Sequence, residues 1–138
     1  MVYSEYINRK TKGHTDILDI TEDVKRVVIR SDVTNGIVTL SVMSSTSAIT
    51  TIEFEPGLVA DFRKALEIIA PAKGAYKHND KWGDTNGFSH IRSSLIGISK
   101  TIPLMSKSLV LGTWQQIILV DFDNRPRIRK VFVGIIGE

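Results

Sequence analysis

The sequence predicts a single α+β domain over residues 1–138, in which an antiparallel, sandwich-like β-sheet carries one main helix and several short helices. Three observations lead to this class. Segments rich in β-branched residues recur along the chain, short turn signals separate most of them, and one long segment instead spaces its apolar residues as a helix does. Strands outnumber helices, and the short connections favour antiparallel pairing.

Composition and length limit the classes of protein to which this chain could belong. A chain of 138 residues with 42% hydrophobic content can bury one core without a disulfide or a structural metal. It has no cysteine, so thiolate metal sites are excluded. The apolar run between Gln116 and Asp121 is too short to cross a bilayer, and the first residues lack the pattern of a secretion signal. We therefore expect a cytoplasmic protein with no membrane partner.

The first third of the chain predicts two strands and a helix. Residues 2–9 form a weak strand pattern and residues 15–20 a second one. Thr21 is a predicted N-cap, because its hydroxyl can accept a backbone N–H and two acidic residues follow it. The apolar positions after it have helical spacing: Val24, Val27 and Val28. Asn35 and Gly36 then predict a turn.

The middle of the chain predicts two more strands and the main helix. Residues 37–42 and 48–54 are rich in β-branched residues. The helix is predicted to begin at Pro56 and to end before Pro71, which cannot extend it. Its apolar stripe consists of Leu58, Phe62, Ala65, Leu66 and Ile69.

The last part of the chain begins with a long polar stretch. Residues 73–89 predict a loop, and loops of that length inside compact domains tend to be functional. A helical turn is predicted at 90–96, followed by strands at 98–104, 109–122 and 128–136. Residues 123–126 carry a strong turn signal between the last two strands.

The long polar stretch holds the clearest candidates for a metal site. It contains His78 and the carboxylates of Asp80 and Asp84, and a second imidazole, His90, follows directly after it. Neutral imidazole and carboxylate oxygen are suitable ligands for a divalent metal such as zinc or magnesium. Their spacing matches no closed structural zinc pattern, so solvated loop residues are the alternative interpretation.

Two other places carry polar groups in unusual positions. Ser45 and Thr46 belong to a run of hydroxyls between two strands, which is a candidate binding loop or an ordinary polar turn. Trp114 and Gln115 follow a glycine inside an apolar segment, which indicates either close approach to a ligand or packing around a bulge.

Two arginines near the C-terminus are candidates for phosphate binding. Arg127 and Arg129 share strand parity, so both are expected on one face, where guanidinium groups can hold phosphate. A charged edge strand is the alternative. The net charge is only +3, and Phe132 is the one aromatic near this cluster. Nucleic-acid binding needs several phosphate contacts beside aromatic stacking, so the sequence argues against it.

Four segments, taken in order, resemble the motifs of the YjbQ-like family. The first comprises residues 45–53 and 55–57, and the second is residues 76–80 (Tyr-Lys-His-Asn-Asp). The third is His90 with residues 93–97, and the fourth is residues 111–116 (Leu-Gly-Thr-Trp-Gln-Gln) leading into Asp121, Asp123, Arg127 and Arg129. The resemblance extends from about residue 36 to the end of the chain, and it is only general in character before that.

The resemblance implies an α+β fold with antiparallel sheets, a homotrimer and a polar cleft that often holds a divalent metal. It also implies a weak thiamine-phosphate synthase activity, which joins a pyrimidine pyrophosphate to a thiazole phosphate. On this basis, the candidate catalytic residues and metal ligands are His78 and His90, with Asp80 as a further ligand. The candidate residues for binding a phosphorylated small molecule are Ser45, Thr46, Trp114, Gln115, Arg127 and Arg129.

One departure from the family pattern leaves a second function open. Many members begin the first motif with a histidine, where this chain has Ser45. A serine hydroxyl is a poor zinc ligand and a weak proton carrier at neutral pH. A trimeric module that binds a phosphorylated metabolite or another anion without catalysis is therefore the alternative to an enzyme. In both cases we expect His78 and His90 to converge on one polar hollow beside Trp114.

Overall fold

A computed structural model describes residues 1–138 and contains eight strands and four helices. None of the four helices is long and apolar enough to cross a membrane. The strands are β1 (Val2–Thr11), β2 (Asp16–Asp19), β3 (Gly36–Val42), β4 (Ser47–Ile52), β5 (Ser99–Met105), β6 (Ser108–Leu109), β7 (Gln116–Asp121) and β8 (Arg127–Gly137). The helices are α1 (Thr21–Ser31), α2 (Pro56–Ile69), α3 (Lys77–Trp82) and α4 (Gly87–Ile96).

The strands form two antiparallel sheets. The larger has five strands in the order β1-β8-β3-β5-β6, and the smaller has three in the order β2-β7-β4. Every strand pair is antiparallel. The predicted α+β class with antiparallel sheets is therefore confirmed.

The main core lies between the two sheets and includes α1. Alternate residues of β8, among them Val131 and Val133, point inward from the larger sheet. Ile117 and Leu119 of β7 meet them from the smaller sheet. Val24, Val27 and Val28 of α1 are buried in the same cluster, so the predicted face of this helix is confirmed.

A second core covers the opposite face of the smaller sheet. Ile118 and Val120 of β7 pack there in a cluster with Val59 and Leu66 of α2, so β7 is buried on both faces. The predicted stripe of α2 is wrong at three positions, because Leu58, Ala65 and Ile69 are exposed. Val59, outside the predicted stripe, is buried. The helix presents the face around Val59 and Leu66, which are seven residues apart and therefore aligned along its axis.

The two main helices begin in different ways. At α2, the Glu55 carboxylate accepts hydrogen bonds from the backbone N–H groups of Gly57 and Leu58, which lower the pKa of Glu55. The predicted N-cap role of Thr21 is wrong, since Thr21 is the first helical residue of α1. Its hydroxyl instead donates to Asp19 at 2.6 Å and accepts from the Ile117 N–H at 2.9 Å. Thr21 thus fastens α1 to β7.

The polar stretch at 73–89 is more regular than its sequence indicates. It contains α3 and the first residues of α4, with the short connection between them turning at Gly83 (φ +70°) and Thr85 (φ +57°). The predicted strand at 109–122 is interrupted, because residues 112–115 form a turn in which the Gln115 N–H donates to the Gly112 carbonyl at 3.0 Å.

The turn at residues 123–126 joins two sheets rather than two paired strands. β7 pairs with β2 and β4, whereas β8 pairs with β1 and β3, so the chain changes sheet at this corner. The loop between β1 and β2 passes close to it, and the His14 N–H donates to the Asp123 carbonyl at 2.6 Å. A Cβ atom on Gly13 (φ +77°) would lie 2.6 Å from the Arg125 carbonyl oxygen, so this approach requires glycine.

A buried arginine joins α4 to α2 and to the residue before β2. The side chain of Arg92 is 2% exposed and donates to the Ala70 carbonyl at 2.9 Å, the Thr15 hydroxyl at 2.9 Å and the Glu67 carboxylate at 2.7 Å. Its guanidinium also lies 4.9 Å from the centre of the Phe88 ring. All three segments are therefore tied together by one side chain.

We expect Arg92→Leu to lower the free energy of unfolding by about 2–4 kcal/mol, because the Ala70 carbonyl and the Thr15 hydroxyl lose their donor in a dry environment. Urea denaturation followed by circular dichroism measures this. The matched control is Arg26→Leu, which removes an ion pair on the surface of α1 and should cost less than about 1 kcal/mol. Equal losses in the two variants would contradict a structural role for Arg92.

Candidate functional site

The structure brings the two predicted imidazoles together. His78 lies on α3 and His90 on α4, and their ring centroids are 4.5 Å apart with the ring planes inclined by 45°. Both side chains are half-buried. Because the rings come from different helices, their contact depends on how α3 and α4 are joined.

A hydrogen bond from the start of α4 fixes the two helices relative to each other. The Asn79 side-chain oxygen accepts from the Gly87 N–H at 2.9 Å. A Cβ atom on Gly87 would lie 2.7 Å from the Tyr76 Cβ, so the small residue permits this close approach. Asn79 and Gly87 therefore fix the distance between His78 and His90.

Of the two carboxylates in the polar stretch, the one beside the imidazole pair is Asp84 and not Asp80, the expected metal ligand. The Asp84 Oδ1 is 3.7 Å from the His78 Nδ1, and this nitrogen is buried without a hydrogen-bond partner. Asp80 is exposed and follows His78 by two positions on α3, which places it about 200° around the helix. The structure therefore does not bring Asp80 to the pair, and Asp84 is the nearer carboxylate.

The environment of His90 favours its neutral form. Burial lowers the pKa of His90 below its ordinary value of 6.5, and the charge of His78 lowers it further. The carboxylates of Asp123 and Asp84, and a hydrogen bond to the backbone of Ser45, oppose this shift without cancelling it. At neutral pH, the His90 imidazole is therefore available to accept a proton or to bind a metal.

Two fully buried carboxylates lie at the corner next to the histidines. Asp121 and Asp123 are both 0% exposed. Arg129 donates from two nitrogens to Asp121, each at 2.8 Å, and Arg127 donates from two nitrogens to Asp123 at 3.0 and 2.8 Å. Burial opposes ionisation of Asp123, but its hydrogen bonds with Asn86, the Asn124 N–H and Arg127 lower the pKa overall.

These ion pairs change the expected role of the two arginines. Arg129 is buried, and its Nη2 also donates to the Thr46 hydroxyl at 2.7 Å, so its Nε and Nη2 both hold acceptors inside the chain. Arg127 is one-third exposed at its side chain and makes no hydrogen bond with its Nη1. Arg129 therefore has an internal role, because the buried carboxylate of Asp121 requires its charge. The Nη1 of each arginine makes no hydrogen bond within the chain, and Arg127 is the more exposed of the two. Phosphate binding by the two arginines stays a prediction.

The predicted hydroxyl residues have different positions. Thr46 is buried and donates to Asp123 at 3.3 Å, whereas Ser45 is exposed beside His90. Asn86, which was not a predicted site residue, donates to Asp123 at 3.1 Å and keeps a buried side-chain oxygen without a partner. Its position in the polar stretch before a helix was the only sequence signal for this role.

The predicted ring-binding residues lie at the other end of the smaller sheet. Gln116 of β7 pairs with Ile52, while Asp121 pairs with Ser47 near the histidines. Trp114 precedes Gln116 and lines a groove with Glu53 and Phe54. Within one chain, the expected hollow formed by the histidines and Trp114 is therefore wrong, because β7 separates the two ends.

Gln115 has a structural role in the turn that carries Trp114. Its side-chain oxygen accepts from the Gly112 N–H at 3.0 Å, and its side-chain nitrogen donates to the Thr51 hydroxyl at 3.2 Å. The predicted contact of Gln115 with a ligand would have to compete with both hydrogen bonds.

The fold defines a class of small α+β proteins with two antiparallel sheets, and this chain carries a pair of imidazoles near the corner between them. The family model described as UPF0047 protein YjbQ-like matches residues 5–138, so the chain belongs to this family. The match includes β1, β2 and α1, which the motifs in the sequence did not cover.

Individual relatives agree with this assignment over nearly their full length. A UPF0047 protein of Methanothermobacter thermautotrophicus is 36% identical over 137 residues, which are 99% of this chain and 94% of the relative. The crystal structure of a YbjQ-like protein of unknown function from Sulfolobus solfataricus P2 superposes with a TM-score of 0.95 at 33% identity, over 100% of this chain and 99% of that one. A hypothetical protein of Aeropyrum pernix K1 gives a TM-score of 0.92 at 31% identity, with 99% of each chain covered.

We expect His78→Ala to raise the pKa of His90 toward its ordinary value, because it removes a repelling charge and opens the ring to water. Histidine ring resonances followed by NMR through a pH titration measure the change. The control is His14→Asn, because His14 is not among the groups whose charge acts on His90. An unchanged His90 titration in His78→Ala would contradict the coupling.

The lowered pKa of His90 also predicts how the free energy of unfolding changes with pH. Because the folded pKa of His90 is lowered, protonation is harder in the folded chain than in the unfolded one. The contribution of His90 to the free energy of unfolding is therefore complete above about pH 6.5 and is lost as the pH falls toward its folded pKa.

Proposed function

We propose that this chain is a cytoplasmic enzyme that transfers a group on a phosphorylated small molecule, with His78 and His90 at its reactive centre. The observation that carries this proposal is the contact between the two rings at 4.5 Å, together with the buried and unpartnered Nδ1 of His78. Unpartnered buried nitrogens are uncommon in folded proteins, so one beside a second imidazole supports a ligand at this place.

The donor chemistry supports a divalent metal such as zinc or magnesium as the cofactor. Two neutral imidazoles suit zinc, and Asp84 is the nearest carboxylate to His78. No group of three or more histidines, aspartates and glutamates is close enough to hold an ion as it stands. His78 and His90 would therefore be the two principal ligands, with Asp84 as a third after a small movement. When bound, such an ion supplies positive charge that stabilises a phosphate or pyrophosphate group.

Other residues of the site have further roles in the proposed reaction. His90, kept neutral by burial, would bind the ion or accept a hydrogen bond from the substrate. The free Nη1 of Arg127 adds positive charge for a phosphate oxygen, and Asp123 holds that arginine in place. Ser45 is exposed next to His90 and is in a position to donate to the same phosphate. The family resemblance supports a thiamine-phosphate synthase type of reaction, in which pyrophosphate is released.

The same resemblance supports a homotrimer as the working assembly. Within one chain, Trp114 lies at the other end of β7 from the histidines, and the aromatic side chain nearest to His78 on α3 is a different one. Trp82, which is 65% exposed, follows His78 by four residues and shares its face of α3.

We expect His78→Ala and His90→Ala each to abolish zinc uptake and any synthase activity, since each removes one of two imidazole ligands. Equilibrium dialysis with elemental analysis measures the bound metal. Asp80→Ala is the matched control, because it removes an exposed carboxylate on the same helix and should retain the metal. Unchanged metal content in both histidine variants would refute the proposed centre.

Non-catalytic binding of a phosphorylated metabolite or another anion is the second candidate function. One observation favours it, namely that Ser45 stands beside His90 where many family members have a histidine. In this case Ser45→His gains synthase activity that the parent lacks, while Ser45→Ala does not. Turnover by the unmodified chain would exclude the binding module.

A further inference from the structure

A groove runs between α1 and the hairpin of β5 and β6. Its volume is about 400 Å³, which is in the range of small-molecule sites. We call it the α1 groove and define it by the six residues that line it: Lys25, Val28 and Ile29 of α1, and Lys107, Ser108 and Leu109 of the hairpin. None of these residues belongs to the histidine site, so the α1 groove has no part in the proposed reaction.

The inner wall of the α1 groove is apolar. Val28 is 1% exposed and belongs to the main core, against which Leu109 packs from the hairpin. Ile29, at the outer edge, is 69% exposed. Lys25, Val28 and Ile29 are spaced by three and four residues, so they lie on one side of α1. An apolar group in the groove would therefore cover Ile29 and remove apolar surface from water.

Two ammonium groups line the same groove, and no carboxylate does. Lys25 pairs with Glu22 at 2.9 Å and Lys107 with Asp32 at 2.5 Å, and the two carboxylate side chains are 72% and 80% exposed. Pairs this exposed contribute little to stability. An ammonium group has three N–H donors, and each lysine uses one of them in its pair. Both lysines can therefore bind an anion at little cost to the fold.

The turn that carries Lys107 is strained. Ser106 and Lys107 both have positive φ, +50° and +61°, a combination for which two-residue hairpin turns usually have Asn-Gly. The segment after α1 holds the turn in place, because the Lys107 N–H donates to the Thr34 carbonyl at 2.8 Å and the Ser106 N–H donates to the Asn35 side chain at 3.0 Å. Strained residues of this kind cluster at sites that bind ligands. A ligand accounts for a lysine at a position that favours glycine.

We infer that the α1 groove binds a small amphipathic carboxylate. Its carboxylate group lies between Lys25 and Lys107, and its apolar part lies against Val28, Ile29 and Leu109. The charge of the lining sets the sign of the ligand, because the groove contains two cations and no anion. The apolar wall favours a carboxylate with a hydrocarbon body over a bare inorganic anion. This binding site is additional to the proposed function and does not depend on it.

Titration with octanoate, followed through the backbone amide resonances in NMR spectra, tests the site. Octanoate is used below its micelle concentration. Acetate and octan-1-ol serve as control compounds that carry only the charge or only the chain. We expect octanoate to shift the resonances of Val28, Ile29, Ser108 and Leu109 saturably, and to bind at least tenfold more tightly than either control compound.

Removal of the two ammonium groups tests the role of charge. We expect Lys25→Gln/Lys107→Gln to weaken octanoate binding at least tenfold, because the carboxylate group loses both of its partners. The matched control, Lys64→Gln/Lys81→Gln, removes two exposed lysines from α2 and α3 and lowers the net charge equally, so it should bind octanoate as the parent does. Ile29→Asn, which changes only the exposed edge of the apolar wall, should also weaken binding.

Lys107→Gly separates ligand binding from folding. Glycine adopts a positive φ without strain, and the ion pair lost with Asp32 is exposed. We therefore expect the midpoint of urea unfolding to equal or exceed that of the parent, while octanoate binding falls at least tenfold. A lower midpoint would mean that Lys107 is present to stabilise the fold, and would overturn its assignment to a ligand.

Three results of the titrations would overturn the inference: resonance shifts that lie only outside the α1 groove, equal binding of octanoate and octan-1-ol, or equal binding by Lys25→Gln/Lys107→Gln and the parent. Adsorption to phosphatidylglycerol vesicles without binding of free octanoate would also overturn it, in favour of a membrane surface. None of these measurements involves the histidines or a metal. Failure of the α1 groove would therefore leave the proposed function standing, and loss of the proposed function would leave the α1 groove standing.

Discussion

Neutralisation of two buried carboxylates at one corner is the constraint on which the rest of the structure depends. Asp121 and Asp123 are withdrawn from water at the end of β7, and such groups are tolerated only with charged partners and hydrogen bonds. Arg129 and Arg127 supply the charge from β8, while Thr46 and Asn86 add hydrogen bonds from the start of β4 and the residue before α4. Both sheets and the helix that carries His90 are thereby anchored to one point.

This anchoring also determines what the histidine site can offer a ligand. The Nε and Nη2 of both arginines donate to acceptors inside the chain, so only their Nη1 nitrogens remain without a partner. The other polar groups of the site are the two imidazoles and the carboxylate of Asp84.

The sequence predicted the features that follow from local pattern and missed those that depend on partners distant in the chain. The face of α1, the beginning of α2 and the contact between His78 and His90 were all accessible, because apolar spacing, a proline start and a short intervening segment carry them. The sequence did not predict that β7 and β8 lie in different sheets, because a turn signal does not reveal which sheet each flanking strand joins. The sequence did not show that Asp84, rather than Asp80, lies beside His78, because this depends on which residues α3 includes. The internal use of Arg129 became visible only with the burial of Asp121.

The loop before β2 passes close to the turn at residues 123–126. Substitutions in this loop can therefore affect the histidine site. Gly13 lies on neither of the helices that carry His78 and His90, yet its missing side chain lets the backbone of Arg125 and Asp123 occupy that space. Any larger residue there would push this backbone outward and carry with it the carboxylate that braces Arg127 and Asn86. A substitution at Gly13 would therefore impair the site as the loss of one of its side chains would, although every side chain of the site is still present.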